Sequence, residues 1–149
     1  MAYLAILDAA RVAPSYMNMQ DIDFIVVNNR KKLQEITEDS ASTWKEPIKG
    51  HIMSRKEQFQ VEIVLTCDTP TVVFLVKNSK PSLKVGVDGG LVAMPICVAA
   101  ADIGLSTMIM AKIIGTDVDK MVISVVIGKA RPDAHVTKRT KNNVIRYIE

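Results

Sequence analysis

One short stretch near the start of the chain, Pro14-Ser15-Tyr16-Met17-Asn18-Met19-Gln20, concentrates the groups best suited to holding a small ligand. Pro14 fixes a backbone angle. Ser15, Asn18 and Gln20 add hydroxyl and amide groups that both donate and accept hydrogen bonds, a set that matches the rim of a planar polar molecule. The same residues also make an ordinary Pro/Ser/Asn turn in which Asn18 bonds its own backbone, and residue types alone favour that simpler reading.

Signatures of protein-based chemistry are missing elsewhere. No GxSxG nucleophile elbow and no GxxxxGK[ST] phosphate loop occurs. His51 and His135 stand 84 residues apart with no HExxH spacing, so they read as surface residues and no metal site is expected. Gly86, Gly89 and Gly90 do not form GxGxxG. With no catalytic acid, base or nucleophile in view, the composition suits an enzyme whose chemistry resides in a cofactor.

The elements that must position such a site follow from periodicity. Ala2 to Val12 reads as a helix with Leu4, Ile6, Leu7, Ala10 and Arg11 along one face, stopped by Pro14. Phe24 to Val27 reads as a buried strand, and Asn28-Asn29 as a turn into a helix over Lys31 to Glu38 with Leu33 and Ile36 inside. Asp39 to Gln60 is polar, with a short helical piece near Trp44 and Pro47, where Trp44 acts as a packing anchor. Thr71 to Val76 is a second strand. Asp88 is placed to cap a helix, interior Leu91 to Ile103, that is apolar nearly all round and so belongs in the core or a subunit interface. Pro95 predicts a kink or late start, and Gly104 the helix end. Leu105 to Met110 and Val122 to Ile127 complete four strands, with a helical turn over Thr116 to Lys120 between them and an arm or edge strand over Val136 to Ile148. This order predicts one α+β domain over residues 1–149, with a central sheet and helices against it.

Composition sets the outer bounds. At 149 residues, 48% hydrophobic and 23% charged, the chain is globular in type. Cys67 and Cys97 lie 30 residues apart without CxxC spacing and read as buried free thiols in a reducing compartment. Met1 to Val12 lacks the pattern of a signal peptide. The longest apolar stretch, Gly89 to Ala101, has 13 residues against the roughly 20 that span a bilayer, so no membrane segment and a cytoplasmic location are expected. Net charge is +3, with Lys129, Arg131, Lys138, Arg139, Lys141 and Arg146 gathered in the tail. Such a tail is a solvated segment or a phosphate-binding one. It lacks interleaved aromatics apart from Tyr147, and no helix-turn-helix or RNP pattern accompanies it, so nucleic acid is not the expected partner.

Four segments, in order, resemble the nitroreductase family. "AARVAPSYMNMQDIDFIVV" is similar to that family's helix, its "APSxxNxQPW" turn and its "FIVV" strand. "TPTVVFLV" resembles the strand after a proline. "VDGGLVAMPICVAAADIGLSTMIM" resembles the family's long helix and following strand, and "VISVVIGKARPDAHVTKRTKNNVIRY" its last strand and basic tail. The four segments cover about half of the chain.

The resemblance implies a nitroreductase-like α+β fold with a mostly antiparallel sheet, a long buried central helix and a C-terminal arm. It implies a homodimer with FMN at the interface, reduced by NADH or NADPH and re-oxidised by a nitroaromatic, quinone or similar acceptor. Pro14, Ser15, Tyr16, Asn18 and Gln20 would approach the flavin ring of the partner subunit, and Ile109, Met110 and Ala111 would bring backbone to its N5 edge. Lys138 and Arg139 would bind the phosphate, a role for which arginine's paired donors are suited. The family usually opens with a segment like "RRSxRxF". This sequence begins within the helix that follows, so it is expected to be a short form without those phosphate ligands. The "QPW" of the family is Gln20-Asp21-Ile22 here, and Lys112 stands where many members have a small residue. The alternative expectation is a non-enzymatic or weakly flavin-binding relative that keeps the fold and dimer, or one that binds another ligand.

Overall fold

The structure is a computed structural model that describes residues 2–110, 121–132 and 134. Four helices, α1 (Ala2–Arg11), α2 (Arg30–Ala41), α3 (Ile48–Phe59) and α4 (Val85–Asp102), surround four strands, β1 (Ile22–Val27), β2 (Thr71–Lys77), β3 (Ser106–Met110) and β4 (Met121–Gly128). The strands form one sheet in the order β1-β2-β4-β3, antiparallel at every pairing. This is the α+β arrangement expected.

β2 explains the layering. Its residues from Thr71 to Val76 are all buried, so alternate side chains supply two cores. Val73 and Leu75 join Ile6 and Ala10 of α1, Val92, Ala93, Ile96 and Ala100 of α4, and Val125 and Ile127 of β4. Val72, Phe74 and Val76 point the other way, onto Leu33 of α2, Ile63, Met121 and Val126. Helices therefore cover both faces of the sheet.

Local chemistry sets several boundaries. Asn29 caps α2, its Oδ1 accepting from the Lys32 backbone N–H at 3.0 Å. Gly104 ends α4 at φ +75°, a conformation glycine adopts without strain. The connection before β2 is tied by Asp68, which accepts the backbone N–H groups of Glu62 and Ile63, each at 2.9 Å, and a bond from Arg30 at 3.3 Å. Burial pushes the Asp68 carboxyl up, but the donors of Ile63 and Glu62, with the Arg30 charge, outweigh it and hold the group below its ordinary value.

Several sequence expectations need correction. The polar stretch holds a full helix, α3, whose residues are partly or fully exposed; with no buried face, its apolar pattern was too weak to read. Among the described residues β1 is an edge strand that pairs only with β2, and its Ile25 and Val26 are exposed. Leu4 is exposed although it shares the apolar stripe of α1, and Cys67 is exposed while Cys97 is half-buried. α4 runs through Pro95 and begins at Val85, so Asp88 lies inside its first turn and is not its cap. Nor is α4 buried all round, since Val87, Leu91, Met94 and Val98 form an exposed stripe. At 18 residues and mean hydropathy 1.5, α4 is long and apolar enough by those measures to cross a membrane, so a count of 13 understated it; its inner face nevertheless packs in the sheet's core. The expected helical turn over Thr116 to Lys120 and the arm over Val136 to Ile148 lie outside the described residues.

Candidate functional site

The segment between α1 and β1 is a compact, braced turn. Met17, Asn18 and Gln20 all have positive φ, at 51°, 54° and 50°. Non-glycine residues in that region cost of order 1–3 kcal/mol each and persist where surroundings over-determine them. Those surroundings are visible. The Asn18 N–H donates to the Ser15 carbonyl at 3.0 Å, and the Gln20 N–H donates to Ser15 Oγ at 2.9 Å. Gln20 Nε2 donates to Asn18 Oδ1 at 3.2 Å. Asn78, just beyond β2, donates through Nδ2 to the Gln20 carbonyl at 3.0 Å and through its backbone N–H to the Asp21 carbonyl at 2.9 Å. Asp88 reaches over from α4, its Oδ1 accepting the Tyr16 N–H at 2.6 Å.

This network holds the turn's outward groups in place. Asn18, Tyr16 and Pro14 are exposed and Ser15 is half-buried. Asn18 Oδ1 is engaged by Gln20, which leaves its Nδ2 to donate elsewhere, and Ser15 Oγ, already accepting, keeps its own hydrogen to donate. Asn18 thus bonds the Gln20 side chain and not its own backbone.

The other expected contacts lie across the molecule. Ile109 and Met110 sit on β3, which pairs with β4 alone, so its outer backbone edge has no strand partner among the described residues. They border a cavity of about 250 Å³ walled also by Arg55 and Phe59 of α3 and by Cys67. Ser15 and Gln20 border a different and larger cavity, of about 650 Å³, between α1 and the start of α4. Within one protomer the two groups of expected ligands therefore face separate spaces. Ala111, Lys138 and Arg139 lie outside the described residues.

Two bracing residues were missed in the sequence. Asp88 carried a signal, as the only charged residue of α4 before Asp102. Asn78 carried none, because its partners lie 55 to 58 residues away.

The family model described as Nitroreductase family matches residues 3–123, from α1 through the braced turn and into β4. The chain belongs to the nitroreductase family. Among curated proteins no sequence relative is found. Solved nitroreductases share the fold. One with bound FMN from Bacteroides fragilis superposes at TM-score 0.78 with 20% identity, covering 99% of this chain and 87% of that one. A second with bound FMN, from Desulfitobacterium hafniense, gives TM-score 0.79 and 21% identity, with 99% and 86% covered. An FMN- and NADPH-dependent nitroreductase of Sphigopyxis sp. strain HMH gives 0.73 and 16%, with 98% and 88% covered. At these identities the likeness establishes a nitroreductase fold.

Proposed function

We propose that the chain is an FMN-dependent oxidoreductase that takes reducing equivalents from NADH or NADPH and delivers them to a nitroaromatic, quinone or similar acceptor. The observation that carries this reading is the braced turn: three strained residues held by Ser15, Asn78 and Asp88 so that Asn18 and Ser15 present donors outward. Those donors fit the polar rim of a flavin ring, and the outer edge of β3 at Ile109 and Met110, which has no strand partner among the described residues, fits another side of it. Solved relatives with bound FMN support the same assignment.

The chemistry supplied by bound FMN would be acceptance of a hydride at N5 and its passage to the acceptor. The protein's part is to orient the ring through Pro14, Ser15, Tyr16, Asn18 and Gln20 and through the backbone of Ile109, Met110 and Ala111, and to keep water off its face. Lys138 and Arg139 are proposed to hold the phosphate.

The working unit is proposed to be a homodimer. Val87, Leu91, Met94 and Val98 recur at intervals of four, three and four residues, which lines them along one face of α4. Their exposures of 54%, 39%, 54% and 63% form an apolar strip of the kind that a second subunit covers. A dimer would also let the turn of one copy meet the β3 edge of the other, which fits their placement at separate cavities of one protomer. A cytoplasmic setting belongs to the same proposal, consistent with two free thiols.

A second reading, a family fold that holds flavin too weakly for turnover, draws on the acids beside the turn. Asp8, Asp21, Asp23 and Asp88 border the cavity shared by Ser15 and Gln20, and negative charge opposes a phosphate-bearing ligand. A visible spectrum separates the two readings. The oxidoreductase gains a flavin band on adding FMN that NADH or NADPH bleaches. Flavin bound but not reduced selects the weaker reading, and no uptake contradicts the oxidoreductase.

A further inference from the structure

α3 turns a mixed face toward an unfilled space. His51, Ile52, Arg55 and Phe59 lie on one side of that helix, at helical intervals of three and four residues, and all four border the cavity of about 250 Å³ against β3. A face that only packed on a sheet would be apolar. Here Ile52 and Phe59 are half-buried, while His51 and Arg55 are exposed and so can meet a ligand. We propose that this cavity binds a single-ring aromatic carboxylate, with Arg55 and His51 receiving the anionic group and the ring lying against Phe59, Val64 and Ile109. As the acceptor of reducing equivalents, such a molecule rests on the oxidoreductase reading; its binding does not.

Charge and shape select that class. Among the described residues the wall of this cavity carries Arg55 and His51 and no carboxylate, whereas Asp8, Asp21, Asp23 and Asp88 border the cavity beside α1. An anion is therefore drawn to α3 and repelled from α1. Arg55 Cζ stands 5.7 Å from the centre of the Phe59 ring, which sets the guanidinium beside the aromatic part of the wall. Its planar fork matches a carboxylate with two parallel bonds, and His51 has a ring N–H to donate in either tautomer. Val64 and Leu65, from the connection before β2, and Met108 and Ile109 of β3 supply apolar surface for the ring. Sites for drug-sized ligands run about 300–1,000 Å³, so this smaller one suits a single ring and not the three-ring flavin. Ile109 and Met110 also carry the β3 edge proposed to meet the flavin, so a ring held here lies next to that edge.

The probes are 4-nitrobenzoate and its neutral counterpart of the same shape, 4-nitrobenzamide, titrated calorimetrically into the full chain without added FMN or NAD(P)H. The expected result is saturable binding of nitrobenzoate and about tenfold weaker binding of nitrobenzamide, the loss of one charge-assisted bond. Arg55→Gln, at an exposed position of α3, should weaken nitrobenzoate about tenfold and leave nitrobenzamide unchanged. Cys67, exposed in the wall, reports the location: bound nitrobenzoate should slow its alkylation by iodoacetamide and leave that of Cys97, outside the cavity, unaltered. Equal affinity for the two probes, no saturable uptake, undiminished binding by Arg55→Gln, or an unprotected Cys67 overturns the proposal. A chain that takes up no FMN yet discriminates between the probes removes only the acceptor role. One that reduces neutral nitroaromatics yet binds both probes equally removes only the carboxylate subsite.

Discussion

The Asp88 carboxylate accepts the Tyr16 backbone N–H at 2.6 Å, tying the first turn of α4 to the turn that carries Ser15 and Asn18. A bond spanning 72 residues fixes the turn relative to the sheet, since α4 packs on it. Hydrogen bonds to charged groups contribute about 1.5–3 kcal/mol. Asp88→Ala is expected to lower unfolding stability by about 1–2 kcal/mol and to weaken FMN uptake, while Asp88→Asn retains most of both. Urea titration and flavin titration check this; an Asp88→Ala chain matching the native one in both assays contradicts it.

The exposed strip on α4 makes a prediction about assembly. Light scattering should give twice the chain mass for the native protein. Val98→Glu, which puts a charge at the most exposed residue of the strip, should shift the mass toward a single chain. A native protein with the mass of one chain would remove the dimer.

Asp68 makes a prediction about pH. Its carboxyl is held below the ordinary value, chiefly by the backbone donors of Ile63 and Glu62, which overcome burial. A lowered folded value means the stabilisation is fully present above the unfolded value, about 3.9, and is lost as pH falls through the folded one. The native chain should therefore be more stable than Asp68→Asn by a constant margin from pH 7 to about 5, and the margin should shrink below about pH 4. A margin that widens on acidification has the wrong sign.

Two adjacent glycines of α4 should respond oppositely to alanine. A Cβ on Gly89 would stand 2.7 Å from Val122 Cγ1, an approach that the stiff valine side chain cannot relieve cheaply. A Cβ on Gly90 meets nothing within 4 Å. Gly90→Ala should gain about 0.5–1 kcal/mol from helix propensity, and Gly89→Ala should lose about 1 kcal/mol net as overpacking exceeds the same gain. Urea midpoints of the two variants, moving in opposite directions, are the expected result.

The legible parts of the sequence were those governed by short-range patterns. β2 and β4 read correctly because both are buried on two faces and so are nearly continuous apolar runs. Gly104 read as a helix end because its positive φ needs glycine. The errors arose where tertiary context decides. Asp88 looked like a cap because a lone acid before an apolar helix is a capping signal; only the fold shows Tyr16 arriving from 72 residues away. The outward stripe of α4 and the inward face have the same apolar composition, so sequence could not separate the packed face from the exposed one. At the candidate site, residue types identified the turn, but its bracing by Asn78 depends on contacts that no local pattern encodes.

The central claim, that the braced turn holds a flavin, is tested most directly by the affinity for FMN of the native chain and of Asn18→Ala, followed by quenching of flavin fluorescence. Saturable uptake by the native chain is expected, with affinity about tenfold lower in the variant, the equivalent of one lost hydrogen bond of about 1.4 kcal/mol. Uptake that is absent in the native chain, or identical in the two, contradicts it.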